Sequence, residues 1–421
     1  MSSSNPTYML KFMKFCENSE IPELFAFWAG LSSVSAALGR NLVLDRGKFK
    51  VYPNLYVILV AESGRCRKST SIGAMEEVLE GIKPPLNLIA QKITPEGLIQ
   101  SMIKGTEYVE NQPMVFNDPG KVCEGFAICD ELSMLVNKKS LDAGLGPLLT
   151  SFYDCKSEVK YTTKGNGDEV ATNTCLGMLG ASISEWIRSA FTEESIRGGV
   201  AGRMIFVYVT TPPKPVADTR YTAEKRNLLA DLQSHISKIR QLKGEVVLTV
   251  EAEAWYKTFH EETWPESPLY NNIDLTAYTS RRSGHLFRVA MLLAATDFTL
   301  EITVEHLTKA DSFLRKIEEK LPDVMNAILK NETGHNKDTI LGIVKRHGQI
   351  ALKDLMKETN NRIDHRTLID ITKTLVMSGD IVNSRDNQGN MAFTTAGMII
   401  KTQTKNVINS LQGIDNSSNF E

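Results

Sequence analysis

Asn54–Thr70 reads NLYVILVAESGRCRKST. Its first seven residues are an almost uninterrupted apolar run, the next ten a polar loop containing Gly64, and Ile72–Leu79 beyond them carry a helical pattern. Strand, loop and helix in that order open an α/β unit whose strand is buried on both faces of a parallel sheet. The same three pieces suit a phosphate. In a P-loop, backbone amides and the helix N-terminus surround the phosphates, a lysine contacts the terminal ones, and the next hydroxyl ligates magnesium. Lys68 and Ser69 match the last two roles; Ser63, Gly64, Arg65, Cys66, Arg67 and Thr70 complete the candidate ATP cradle. Standard spacing asks for glycine where this chain has Glu62 and Arg67. Arg67 fits only if its backbone avoids positive φ or tolerates the strain. The rival reading is a surface loop after a strand.

Outward from this stretch, Phe126–Cys129 (FAIC) is a second buried strand, ending in Asp130-Glu131. A carboxylate pair at a strand tip suits a Mg²⁺ site, Asp130 holding the metal's water shell and Glu131 orienting or deprotonating the attacking water. The plainer reading is that the pair caps a strand or starts a helix. Cys175–Leu179 and Met204–Val209 are further apolar strands. Where an extra strand lies between the two motif strands, a polar sensor residue touches the water; Asn173, Thr174 and Ser182 are the candidates. Arg197 and Arg203 precede the last strand, and Arg203 suits an arginine finger reaching a neighbouring subunit's γ-phosphate. Its rival role is a salt bridge to Glu185, Glu193 or Glu194. In the helical region, Arg288 interrupts an apolar segment, so its head must snorkel or meet an anion. Nucleotide sensing from a lid and a buried ion pair are its two readings.

The 421 residues, 42 % hydrophobic and 23 % charged, allow two to four folded units. Lys+Arg number 48 against 50 Asp+Glu, which excludes a generally basic protein but leaves room for a local nucleic-acid surface. Six cysteines, none in a CxxC pair, point to a reducing, cytoplasmic setting. Cys123 and Cys129 lack further ligands, so zinc has no support. Leu24–Leu38 is too short and too serine-rich to cross a membrane.

The predicted fold class is α/β: a RecA/AAA+-like P-loop core over 51–215, an N-terminal helical segment (1–50), a helical lid region (216–333), a winged helix (336–400) and a flexible tail (401–421). Residues 331–337 read as a linker, followed by three short helices and a hairpin. Lys156–Asn173 forms another hairpin around Gly165-Asn166-Gly167. Its Lys156, Lys160 and Lys164 are candidate grips on a DNA backbone, or ordinary solvated lysines. Residues 336–421 carry 11 Lys+Arg against 9 Asp+Glu. Arg362, Arg366 and Lys373 on or beside the third helix and Arg385 on the wing suit DNA. Protein docking is the alternative, and Asp364 and Asp370 favour it.

The segments IPELFAFWAGLSSVSAALGR, YPNLYVILVAESGRCRKST, ITPEGL, ICDELSML, CLGMLGAS and GVAGRMIFVY resemble a family of phage- and plasmid-encoded P-loop ATPases of the DUF3987 type. The resemblance spans roughly residues 20–300. It implies a helicase-like replication ATPase, with Lys68 and Ser69 at the phosphates, Asp130 and Glu131 as the magnesium and catalytic pair, and Arg203 as the arginine before the last core strand. Arg67 departs from the usual Gly-Lys ending. On this resemblance the chain would be the motor half, without a primase module, with a primase or initiator as partner. The expected activity is DNA-dependent ATP hydrolysis by a homo-oligomeric ring, a hexamer being one such arrangement, acting on single-stranded or forked DNA. Two alternatives are an ATP-dependent loader or initiator switch and a non-hydrolysing DNA-binding regulator.

Overall fold

In the computed structural model, which describes residues 7–105, 121–163, 167–191, 199–272, 275–322, 332–359, 363–386 and 388–395, the apolar run after Asn54 is a strand with every residue buried. The chain divides into two units, 1–329 and 330–421. The first begins α1 (Tyr8–Cys16), α2 (Glu23–Leu38), β1 (Leu42–Asp45), β2 (Lys50–Val51), β3 (Tyr56–Val60), α3 (Lys68–Leu79), β4 (Leu88–Ile89) and α4 (Pro95–Lys104). Next come β5 (Glu124–Cys129), α5 (Leu132–Leu135), α6 (Lys138–Asp142), α7 (Leu145–Tyr153), β6 (Glu158–Thr163), β7 (Gly167–Thr172), β8 (Cys175–Ser182), α8 (Ser184–Ala190) and β9 (Met204–Tyr208). It continues through α9 (Ala223–Ile239), β10 (Gly244–Glu245), β11 (Val247–Leu248), α10 (Val250–Thr258), α11 (Thr276–Thr279), α12 (Arg282–Thr296), β12 (Glu301–Ile302) and α13 (Val304–Glu318).

Five strands pair in parallel in the order β4-β5-β8-β3-β9. Strict alternation divides β3 between two cores. Val57 and Leu59 join α2 and α3 on one face, whereas Tyr56, Ile58 and Val60 join α4 and α7 on the other. A strand covered on both faces needs apolar residues throughout, which is why NLYVILV lacks the polar alternation of a half-exposed strand.

Every residue of α2 from Phe25 to Leu38 is buried. Two of its three serines are accommodated by hydrogen bonds: Ser33 Oγ donates to Gly30 O at 2.6 Å, Tyr8 OH lies 2.6 Å from Ser33 Oγ, and Ser35 Oγ accepts from Leu55 N at 3.1 Å, whereas the buried Ser32 Oγ has no partner among the described residues. Gly30 leaves room for the Phe12 ring, whose nearest carbon would lie 2.8 Å from an added Cβ. Among the described residues no helix is long and apolar enough to cross a membrane. Helix α4 has a conventional start, with Thr94 Oγ1 accepting from Gly97 N and Pro95 in the first turn.

The β6–β7 hairpin pairs antiparallel from Glu158↔Thr172 to Thr163↔Gly167. It is tied down along α4, Tyr161 OH donating to Glu96 (2.8 Å) and Gln100 to Glu169 (2.8 Å).

The second unit contains α14 (Glu332–His347), β13 (Gln349–Ala351), α15 (Leu352–Thr359), α16 (His365–Met377), β14 (Ile381–Arg385) and β15 (Met391–Thr395). The strands form an antiparallel sheet in the order β13-β15-β14. Two features differ from expectation. The supposed linker is helical from Glu332, since polarity alone does not stop a helix and the lone Gly334 is tolerated. Strand β13 is too short to show a period of its own; Ile350 is its one buried residue, pairing with Phe393. The tail 401–421 lies outside the described residues.

Candidate nucleotide site

Helix α3 begins at Lys68, directly behind the loop. Arg67 takes φ +50° and ψ +41°, the left-handed conformation that glycine adopts most readily, so the strain is tolerated rather than avoided. Gly64 also has positive φ, +73°. The Lys68 ammonium folds back over its own loop, donating to Ala61 O at 2.7 Å and Glu62 O at 3.2 Å. Partial burial lowers the Lys68 pKa, while Cys66 and Glu131 act in the opposite sense. Ser63, Gly64, Arg65, Ser69 and Thr70 are exposed around it; Cys66 is buried beneath.

The acid pair sits at the same end of the sheet. Cys129 is level with Gly180, and Gly180 with Ile58, so Asp130 and Glu131 follow at the height of Leu59 and Val60. The motif strands β3 and β5 are not neighbours: β8 runs between them. Burial raises the Asp130 pKa. Glu131 precedes α5 but makes no side-chain cap; its Oε1 instead accepts from Ser133 Oγ at 3.3 Å. Sequence reasoning missed Glu76, two turns along α3. Its pKa is raised by partial burial and then by the Asp130 and Glu80 carboxylates. The signal available was its seven-residue spacing from Ser69, which sets both on one helical face.

The sensor candidates fall at opposite ends of the intervening strand. Ser182 ends β8 level with Val60, and its carbonyl accepts from Ala61 N at 3.3 Å. Asn173 and Thr174 precede β8, bonded through their amides to Ser157 O and Lys156 O. About eight strand residues, roughly 26 Å, separate them from the loop.

Arg203 and Arg288 are brought together, but at the other end of the sheet. Met204 pairs with Tyr56, so Arg203 precedes the start of β9, about 16 Å along the strand direction from the loop. It is buried, and its guanidinium donates to Asp154 through Nε (2.9 Å) and Nη2 (2.6 Å) and to Gly199 O through Nη1 (2.8 Å). Asp154 was not among its expected partners; of those, Glu193, Glu194 and also Arg197 lie outside the described residues. The Arg288 guanidinium lies 4.3 Å from the Tyr153 ring centroid and donates to Gly284 O. It therefore faces Tyr153 rather than this chain's phosphate loop. His285 bridges the group: burial, with the nearby arginines adding to it, pushes its pKa down to about 3. The neutral ring donates from Nε2 to Gly202 O (3.0 Å), which leaves Nδ1 to accept from Tyr153 OH (3.3 Å). Arg282 is separately neutralised by Asp311 and Glu318.

Of the nucleic-acid candidates, Lys156 is exposed and Lys160 pairs with Glu158 at 3.0 Å. Lys164 and Arg362 lie outside the described residues. Arg366 and Lys373 are exposed on α16 with Asp370 between them. Asp364 is committed to capping that helix, accepting from Arg366 N and Thr367 N at 3.0 Å each. Arg385 Nη1 reaches Gly389 O across the β14–β15 turn.

Magnesium needs few protein ligands, and a hydroxyl plus a carboxylate, Ser69 and Asp130, suit so hard a cation. No group of three or more His, Cys, Asp and Glu side chains able to hold a metal occurs among the described residues. Comparison with models of known protein families and with curated proteins finds no match to either.

Proposed function

We propose that the first unit is a RecA/AAA+-like P-loop ATPase and that the protein is a DNA-dependent oligomeric motor, helicase-like in the sense of the DUF3987-type proteins it resembles. One observation carries the reading: a lysine-led helix and an acid pair share one end of a parallel sheet, with a single strand between them. Ligands of open α/β sheets bind at that end.

In this reading ATP lies across the N-terminus of α3, with Lys68 swinging from its own loop carbonyls to the terminal phosphates. Ser69 and Asp130 hold Mg²⁺, which when bound neutralises charge on the phosphate oxygens. Glu131, oriented by Ser133, takes the proton of the attacking water, and Ser182 is favoured as the sensor of that water.

Arg203 and Arg288 face away from this chain's own loop, so a contact with nucleotide falls to a neighbouring subunit's. A homo-oligomer, in ring form, is therefore part of the proposal. The bidentate Asp154 pair, however, occupies the Arg203 fork. That favours a second reading, an ATP-dependent loader or initiator switch in which subunit assembly frees the arginine. The second unit, three helices and a three-stranded sheet, suits a winged helix presenting Arg366, Lys373 and Arg385 to DNA.

ATP turnover by the protein, Lys68→Ala and Glu131→Gln, with and without single-stranded DNA, separates the readings. A motor shows DNA-stimulated turnover that both substitutions abolish. A switch shows nucleotide-dependent assembly with little turnover. Nucleotide-independent DNA binding without turnover leaves the non-hydrolysing regulator.

A further inference from the structure

Glu20 lies in the turn between α1 and α2 at φ +55°, and only 15 % of its side chain is exposed. Its oxygens serve two different segments. Oε1 accepts from Val216 N at 2.8 Å, beyond the last sheet strand. Oε2 accepts from the Arg67 guanidinium, with Nε at 2.6 Å and Nη2 also in contact. The segment held by Oε1 touches the loop independently, because Cys66 Sγ lies 3.7 Å from Val209 O and 3.9 Å from Thr211 O.

This arrangement explains how an arginine occupies a glycine position. A left-handed backbone is disfavoured for any residue with a Cβ; locally the Arg67 carbonyl is held, accepting from Ser71 N at 3.0 Å and Ser71 Oγ at 2.9 Å. The long side chain reaches out of the loop to a carboxylate fixed on a separate part of the core. We propose that Glu20 is a positioning residue of the phosphate loop: by gripping the Arg67 side chain it keeps residue 67 left-handed, so that the loop amides and the start of α3 face a nucleoside triphosphate. The role rests on the ATP reading above.

The clamp makes a prediction about non-additivity. With glycine at 67 the conformation needs no external hold, so Glu20 becomes dispensable for the loop. Affinity for a fluorescent ATP analogue with Mg²⁺ is measured for the full-length protein, Glu20→Ala, Glu20→Gln, Arg67→Gly and the Glu20→Ala/Arg67→Gly double variant. Hydrogen exchange of the loop amides is followed in the same proteins without nucleotide. Glu20→Ala weakens binding about tenfold and speeds loop exchange. Glu20→Gln, which keeps the shape and a weaker acceptor, falls between. In the Arg67→Gly background, Glu20→Ala changes neither quantity. An undiminished loss in that background, or no loss in Glu20→Ala alone, overturns the clamp. A wild-type protein that binds no nucleotide defeats the ATP reading and the positioning role with it. Loop exchange then still decides whether Glu20 holds Arg67.

Discussion

On the ATPase reading proposed above, Lys68 and Glu131 carry different burdens, and their substitutions separate binding from chemistry. Lys68→Ala removes the charge that meets the terminal phosphates and weakens MgATP binding. Glu131→Gln keeps size and hydrogen bonding but cannot accept a proton. Nucleotide binding therefore persists while single-turnover hydrolysis falls about 10²–10⁴-fold, the usual worth of a general base. Equal turnover by wild type and Glu131→Gln would remove that residue from the reaction. His285 offers a test by pH. Its folded pKa, pushed down to about 3, lies below the unfolded value near 6.5. Its contribution to stability is complete above about pH 6.5 and is lost as pH falls toward 3, because the unfolded state takes up the proton first. Chemical denaturation between pH 7 and 4 shows that loss in the wild type. His285→Gln, less stable at pH 7, loses less over the same range; parallel profiles contradict the buried neutral imidazole. That Lys68 and Ser69 open a helix behind a buried strand, and that Asp130-Glu131 follow the end of another, was readable from residue order alone. Glu20 and Asp154 were not, since each acts through a contact across long sequence separation that no local pattern encodes.

Among the elements, buried strands were the most readable because two covered faces demand an unbroken apolar run. Their order in the sheet was less so: the intervening position of β8 depends on pairing, which register fixes only in three dimensions. Helix α2 illustrates the opposite case. Its apolar length and its interruption by serines exclude a membrane span, but not which partners accommodate the serines. Gly30→Val forces a side chain into the Phe12 ring and costs about 1–3 kcal/mol by overpacking. Thermal denaturation showing no loss would mean that α1 and α2 are not in contact there. At the far end of the sheet, Asp154→Ala leaves the Arg203 guanidinium, among the described residues, with Gly199 O as its acceptor. Asp154 is partly exposed, so the cost is about 1–3 kcal/mol rather than the larger value of a fully buried pair. If the loader reading holds, the same variant assembles at lower nucleotide concentration, as sedimentation would show, because the arginine is already released.

For the whole molecule, the division into residues 1–329 and 330–421 places the two proposed tasks in different units. The first unit holds every residue proposed to touch nucleotide; the second carries the exposed Arg366, Lys373 and Arg385. Reversing those three charges is expected to weaken DNA binding and flatten its salt dependence while basal ATP turnover stays unchanged. Unaltered DNA binding would turn the second unit toward protein docking. The central claim is that Ser69 and Asp130, which follow two strands separated by β8, meet at one Mg²⁺ bound with ATP. Iron(II) substituted for Mg²⁺ tests this most directly, since hydroxyl radicals generated at the metal cut the nearby backbone. ATP-dependent cleavage is predicted at both the start of α3 and the end of β5, and is lost in Lys68→Ala. Cleavage at only one of the two, or at neither, would contradict the claim.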